Sequence, residues 1–207
     1  MFTNGLFLAA SILLAAQEEP IRPHVDAPSV FGSADEEIRS LAVNLDNAIK
    51  LCSENAIRAS GRIKEVGKTE KTVVENGLLT WLSDPPKLLF EQAMGQPARF
   101  GRWFDPHATI FVIAHQAAPA CEILVGGSPW TSAVRPALYA KIQDDNFWKS
   151  DGPEQPFTKN AVRSTFRANV SWKIGVRPVI SIIAPVVADE GGTQLFIRVS
   201  MVAEGKK

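Results

Sequence analysis

Cys52 and Cys121 are the only cysteines in the chain. Two cysteines in a small domain pair when the compartment is oxidising. A bridge closing a loop of about 70 residues removes enough chain entropy from the unfolded state to contribute on the order of 4 kcal/mol. The spacing matches neither a CxxC redox pair nor a zinc site. A disulfide is therefore the expected role of both residues. It requires the segment carrying Cys52 to lie against the segment carrying Cys121.

The N-terminus bears on the same point. Residues 2–16 hold no charged side chain, and the run LFLAASILLAA over 6–16 is followed by Gln17-Glu18-Glu19-Pro20. The run is shorter than the roughly 20 residues a bilayer span needs. Its position and length predict a signal peptide over 1–16. No Lys or Arg precedes it, and Leu14 is bulkier than the residue preferred two places before a cut at Ala16. The expected address is periplasmic or secreted, with no stable membrane span in the mature chain.

Pro20, Pro23 and Pro28 make residues 17–32 an extended leader. Residues 33–207 then read as a single α+β domain. Ser33-Ala34-Asp35-Glu36 has the spacing of a capping box. Behind it Ile38, Leu41, Leu45, Ala48, Ile49 and Cys52 recur at helical intervals, predicting a helix over about 34–59 with Cys52 on its buried face. Gly61 is the expected stop. Residues 66–75 fit a second helix, and 72–75 fit a strand nearly as well. Leu78, Leu79, Trp81 and Leu82 form an apolar patch before Pro85-Pro86, and 87–95 suits a short helix.

Strand signals follow over 98–104, 109–114 and 121–125, then a helix over about 131–144. The polar stretch 145–160 reads as a loop. Three more strands are expected near 162–174, 178–187 and 193–202, the last two joined at Asp189-Glu190-Gly191-Gly192. Pro178 and Pro185 point to an edge position or bulges for the middle one. The sum is a mainly antiparallel sheet of five to seven strands with a long N-terminal helix and one or two further helices packed on it.

The chain has 22 basic and 22 acidic residues, and this balance gives no long-range pull toward phosphate backbones. No nucleic-acid partner is expected. There is no Walker or dinucleotide fingerprint, so no cofactor is expected, and the three histidines do not compose a metal site. His107 and His115 stand at opposite ends of one predicted strand, roughly 25 Å apart at full extension. Gly126-Gly127-Ser128-Pro129 lacks the second glycine of a nucleophile elbow. Asp105 and His107 are near enough in sequence to form a general acid–base pair, which carries the alternative reading of a small hydrolase-like enzyme.

Basic residues cluster once. Lys159, Arg163, Arg167, Lys173 and Arg177 occur with no acidic residue between Gln155 and Ala188. Even spacing puts Arg163 and Arg167 on one face, and Lys173 and Arg177 likewise, so one long strand would show all four opposite Phe166 and Trp172. Phe147-Trp148 is the aromatic pair that no periodic element claims, and exposed aromatics anchor partners. These residues support a non-enzymatic binding or interaction protein of the cell envelope, contacting its ligand through Phe147, Trp148, Arg163, Arg167, Lys173 and Arg177. The expected partner is an envelope protein or an anionic ligand. A structural or assembly role is the third reading.

Overall fold

Leu41, Leu45, Ala48, Cys52 and Ala56 follow one another at three- and four-residue steps, Ile49 lies on the same side, and all are buried. They form one side of α1, Ala34–Ala59, a helix of 26 residues. The computed structural model describes residues 33–59, 68–169, 176–186 and 195–203. The expected signal peptide, the leader with His24, the stop at Gly61, Trp172, Lys173 and the turn at 189–192 lie outside the described residues.

Three further helices among the described residues are α2 (Lys68–Glu75), α3 (Lys87–Gln92) and α4 (Val134–Asp144). The helical option for 66–75 is therefore the one adopted. The strands are β1 (Leu79–Trp81), β2 (Ala98–Trp103), β3 (Thr109–His115), β4 (Ala120–Gly126), β5 (Trp148–Ser150), β6 (Gln155–Thr158), β7 (Ala161–Ala168), β8 (Val176–Pro185) and β9 (Leu195–Ala203). They form one antiparallel sheet in the order β1-β2-β3-β4-β9-β8-β7-β5, with β6 also paired to β7.

The class is α+β, as expected, but the sheet has nine strands among the described residues rather than five to seven. The additional strands are short. β1 and β5 hold three residues each and β6 four. Segments of this length show no period of their own; they become strands by hydrogen bonding to longer neighbours. The stretch 145–160 is accordingly not a loop. β6 contains Pro156 at a register irregularity beside β7, where a missing N–H is tolerated. Pro178 and Pro185 do not mark β8 as an edge strand, since β8 pairs with both β7 and β9. Pro178 lies beyond the β7 ladder, which starts at Val179, and Pro185 is the last residue of β8.

Two meanders, β1–β4 and β7–β9, meet where β4 pairs with β9. Cys121 sits in β4 opposite Val199, and its bond to Cys52 joins α1 to this seam, with Cα atoms 5.1 Å apart. Alternation then assigns the two faces. Cys121, Ile123, Val125, Leu195, Ile197, Val199, Ile180 and Ile182 face α1 in the main core, together with Leu138 and Ile142 of α4. Tyr139 of α4 donates to Ser164 Oγ at 2.6 Å. Burial, opposed by that hydrogen bond, pushes its phenol up to about 12, so it remains a donor at any physiological pH.

Among the described residues, the opposite face is covered only in part. Leu89 and Ala93, in and just after α3, form a second, smaller core with Phe100, Ile113 and Leu124. That cover spans β2, β3 and β4. No helix among the described residues is long and apolar enough to cross a membrane.

Candidate functional site

On the face away from α1, the register of β7, β8 and β9 arranges side chains in three rows. Arg167, Val179 and Ser200 make the first, Thr165, Ser181 and Arg198 the second, and Arg163, Ile183 and Phe196 the third. Arg177 and Val202 lie opposite each other beyond the first row. Lys149 of β5 stands directly across from Arg167 and extends the basic rim. All these residues are half-buried or exposed, whereas their alternating neighbours Phe166, Ile180, Ile182, Ile197 and Val199 are buried. The result is a floor of Val179, Ser181, Ile183, Thr165 and Phe196 with arginines around it.

Charge on this surface is mainly basic, with Asp151 and Glu122 as its carboxylates. Like charges directly opposite across a strand pair oppose pairing, and Lys149 against Arg167 is such a pair. Asp151 offsets it through a 2.6 Å contact with Arg167. Arg163 lies over the Phe157 ring at 4.8 Å. Arg198 approaches Glu122 Oε1 at 3.3 Å, and His115 Nε2 is 3.6 Å from the same oxygen. Glu122 is only 3% exposed and lies directly across the β4–β9 pair from Arg198, on the same face. Arginines gathered beside half-buried apolar side chains are a composition enriched in recognition surfaces.

The structure departs from several sequence expectations about this surface. Arg163 and Arg167 share β7, but Arg177 belongs to β8, so a single long strand does not carry the basic set. Register across two strands brings them to one face instead. Trp148 does not present a ring to solvent; it is 6% exposed and belongs to the main core. β5 pairing with β7 turns it inward, and half-buried Phe147 packs against it edge-on at 5.0 Å. Trp148 is therefore not an exposed aromatic. Arg198 is absent from the set the sequence predicts. Its signal is the alternation Phe196, Arg198, Ser200, Val202 against Leu195, Ile197, Val199, which reveals a polar parity but not which strands flank it.

The acid–base pair of the enzymatic reading is differently wired. Asp105 Oδ1 accepts the backbone N–H of His107 at 2.8 Å, and Oδ2 accepts Asn44 Nδ2 at 2.7 Å. His107 Nδ1 faces Glu37 Oε2 at 3.5 Å, and that oxygen accepts Trp130 Nε1 at 2.8 Å. Both carboxylates are thus engaged in tying α1 to the β2–β3 connection and to the segment before α4. Ser128 is buried and accepts the backbone N–H of Trp130 at 3.2 Å, as a turn residue does. No group of three His, Cys, Asp or Glu among the described residues could hold a metal ion.

A cleft of about 230 Å³ at the β1 edge is lined by Trp81, Leu82, Pro85, Phe90, Arg99 and Phe100. Its Trp81 ring is already covered by the Arg99 guanidinium at 3.9 Å. Glu70 accepts from Arg99, Arg58 and Trp81 Nε1. Burial raises its carboxyl, but the hydrogen bonds and charges of Arg99 and Arg58 outweigh this and hold it below the ordinary value. The group is a structural tie between α1, α2 and the sheet edge. The chain matches no protein-family model, no curated protein and no solved structure.

Proposed function

We propose that this protein is a non-enzymatic binding domain of an oxidising, extracytoplasmic compartment, and that it engages an anionic partner through the uncovered part of its sheet. One observation carries the reading. Among the described residues, helices cover one face of the sheet, α3 covers the other only over β2–β4, and the bare remainder holds Arg163, Arg167 and Arg198 around half-buried apolar side chains. Arginines beside apolar surface are typical of interface anchors. The Cys52–Cys121 disulfide supports the compartment.

The enzymatic alternative draws no comparable support, since Asp105 and Glu37 are both occupied in structural contacts.

A photo-crosslinking side chain placed at Ser181, in the middle of the bare surface, should trap a specific adduct in the native envelope. The same group at Val43, exposed on α1, should not. The double variant Arg163→Glu/Arg167→Glu should lower the Ser181 adduct by about tenfold, the effect of removing well-placed interfacial charge. Adducts forming equally at Val43, or an unchanged yield in the double variant, would contradict the assignment.

A further inference from the structure

We infer that the occupant of the bare sheet surface is a single amphipathic helix of a protein partner, apolar along one stripe and acidic along its flanks. The inference rests on the binding role proposed above and specifies the partner.

Three adjacent strands at about 4.8 Å spacing offer a strip roughly 10 Å wide. An α-helix with its side chains is about 10 Å across. β8, the middle strand, has ten residues. The strip is therefore one helix wide and long enough for several turns. Its chemistry fits the same object. Val179 and Ile183 stand on either side of Ser181 on one face of β8, and Phe196 adjoins Ile183 on β9, giving a mainly apolar track along the strands. Arg163 and Arg167 flank the track on the β7 side, and Arg198 flanks it on the β9 side. A helix laid along it would set an apolar stripe on the track and carboxylates against both rims.

The surroundings separate this occupant from two others. α3 stands on the same face over β2–β4, with Phe196 packed at its border, so the bare strip is a shelf beside a helix rather than the highest plane of the molecule. A flat anionic membrane would meet α3 before it met the strip. A second copy of this chain docking through the same surface by twofold symmetry would bring arginine against arginine. A helix beside α3 completes a second helical layer, matching the way α1 and α4 cover the other face.

The test uses the disulfide-bonded chain and three synthetic probes of about 18 residues, long enough for roughly five turns. One peptide has a leucine stripe and glutamate flanks; the second has the same composition scrambled; the third carries lysine flanks. Vesicles rich in phosphatidylglycerol serve as the fourth probe. The amphipathic acidic peptide should bind at least about tenfold tighter than the scrambled and lysine peptides, with contact charges setting the preference. It should become helical on binding, and it should perturb backbone NMR signals of β7–β9 but not of α1. Arg163→Glu/Arg167→Glu should lose at least about tenfold of that affinity, and so should Val202→Glu, a change at an exposed position outside the core. Equal binding of the scrambled peptide would overturn the helix. So would vesicle binding without peptide binding. A Ser181 adduct from the native envelope in the absence of peptide binding would leave the surface assigned and reject its helical occupant; the absence of both would reject the surface as well.

Discussion

Replacing Cys52 and Cys121 together by serine is expected to lower stability by on the order of 4 kcal/mol, seen as a drop of about 10 °C in melting temperature. The two residues are 69 apart in sequence and both fully buried. The long loop makes the unfolded-state contribution large. Position adds to it, because the bond holds the C-terminal half of α1 against β4 at the seam where the two meanders meet. Without it, α1 remains on the sheet through apolar burial alone. Burial also predicts that dithiothreitol leaves the native bond intact and reduces it only when denaturant opens the fold. Denaturant titrations with and without reductant, read by circular dichroism, measure both effects. A double-serine variant as stable as the native chain would show that the α1–β4 contact needs no covalent support.

The second large effect is asymmetric. Arg198→Ala removes the cation at 3.3 Å from Glu122 and leaves a carboxylate that is 3% exposed. His115 Nε2, at 3.6 Å, makes no hydrogen bond to it. Breaking a buried pair from this side should cost about 3 kcal/mol, because the surviving charge has no solvent to turn to. Removal from the other side should cost much less. Glu122→Leu leaves Arg198, whose side chain is one-third exposed and can rehydrate, and it places an apolar group beside Ile113 and Leu124. A change within about 1 kcal/mol is expected, and the double variant should recover most of what Arg198→Ala loses. Urea denaturation of the four proteins gives the cycle directly. Equal losses from the two single variants would mean that the carboxylate is better hydrated than its burial indicates.

Much of the scaffold was legible in the sequence because its signals are local. α1 declares itself through Leu41, Leu45, Ala48 and Ile49, and the cores of β2–β4 and β7–β9 through runs of branched and aromatic residues. What was not legible is non-local. Nothing in the order of the chain says that the last strand, β9, enters the centre of the sheet beside β4. That insertion decides which side chains share the bare surface, so Arg198 joins Arg163 and Arg167 only through register. Trp148 went astray for a related reason. In a three-residue strand no periodicity marks the inward side; pairing with Ala168 sets it. Asp105 and His107, two residues apart in sequence, suggest a local pair, whereas their contacts with Asn44 and Glu37 of α1 carry no local signal.

The most direct measurement follows the reactivity of a single thiol at the centre of the bare strip. The thiol introduced by Ser181→Cys should react with a maleimide in the isolated folded protein, and the acidic amphipathic peptide should protect it. Ser164→Cys, on the buried face of β7, should stay silent in both conditions. An unreactive thiol at position 181, or one whose labelling rate is unchanged at saturating peptide, would contradict a binding surface on β7–β9.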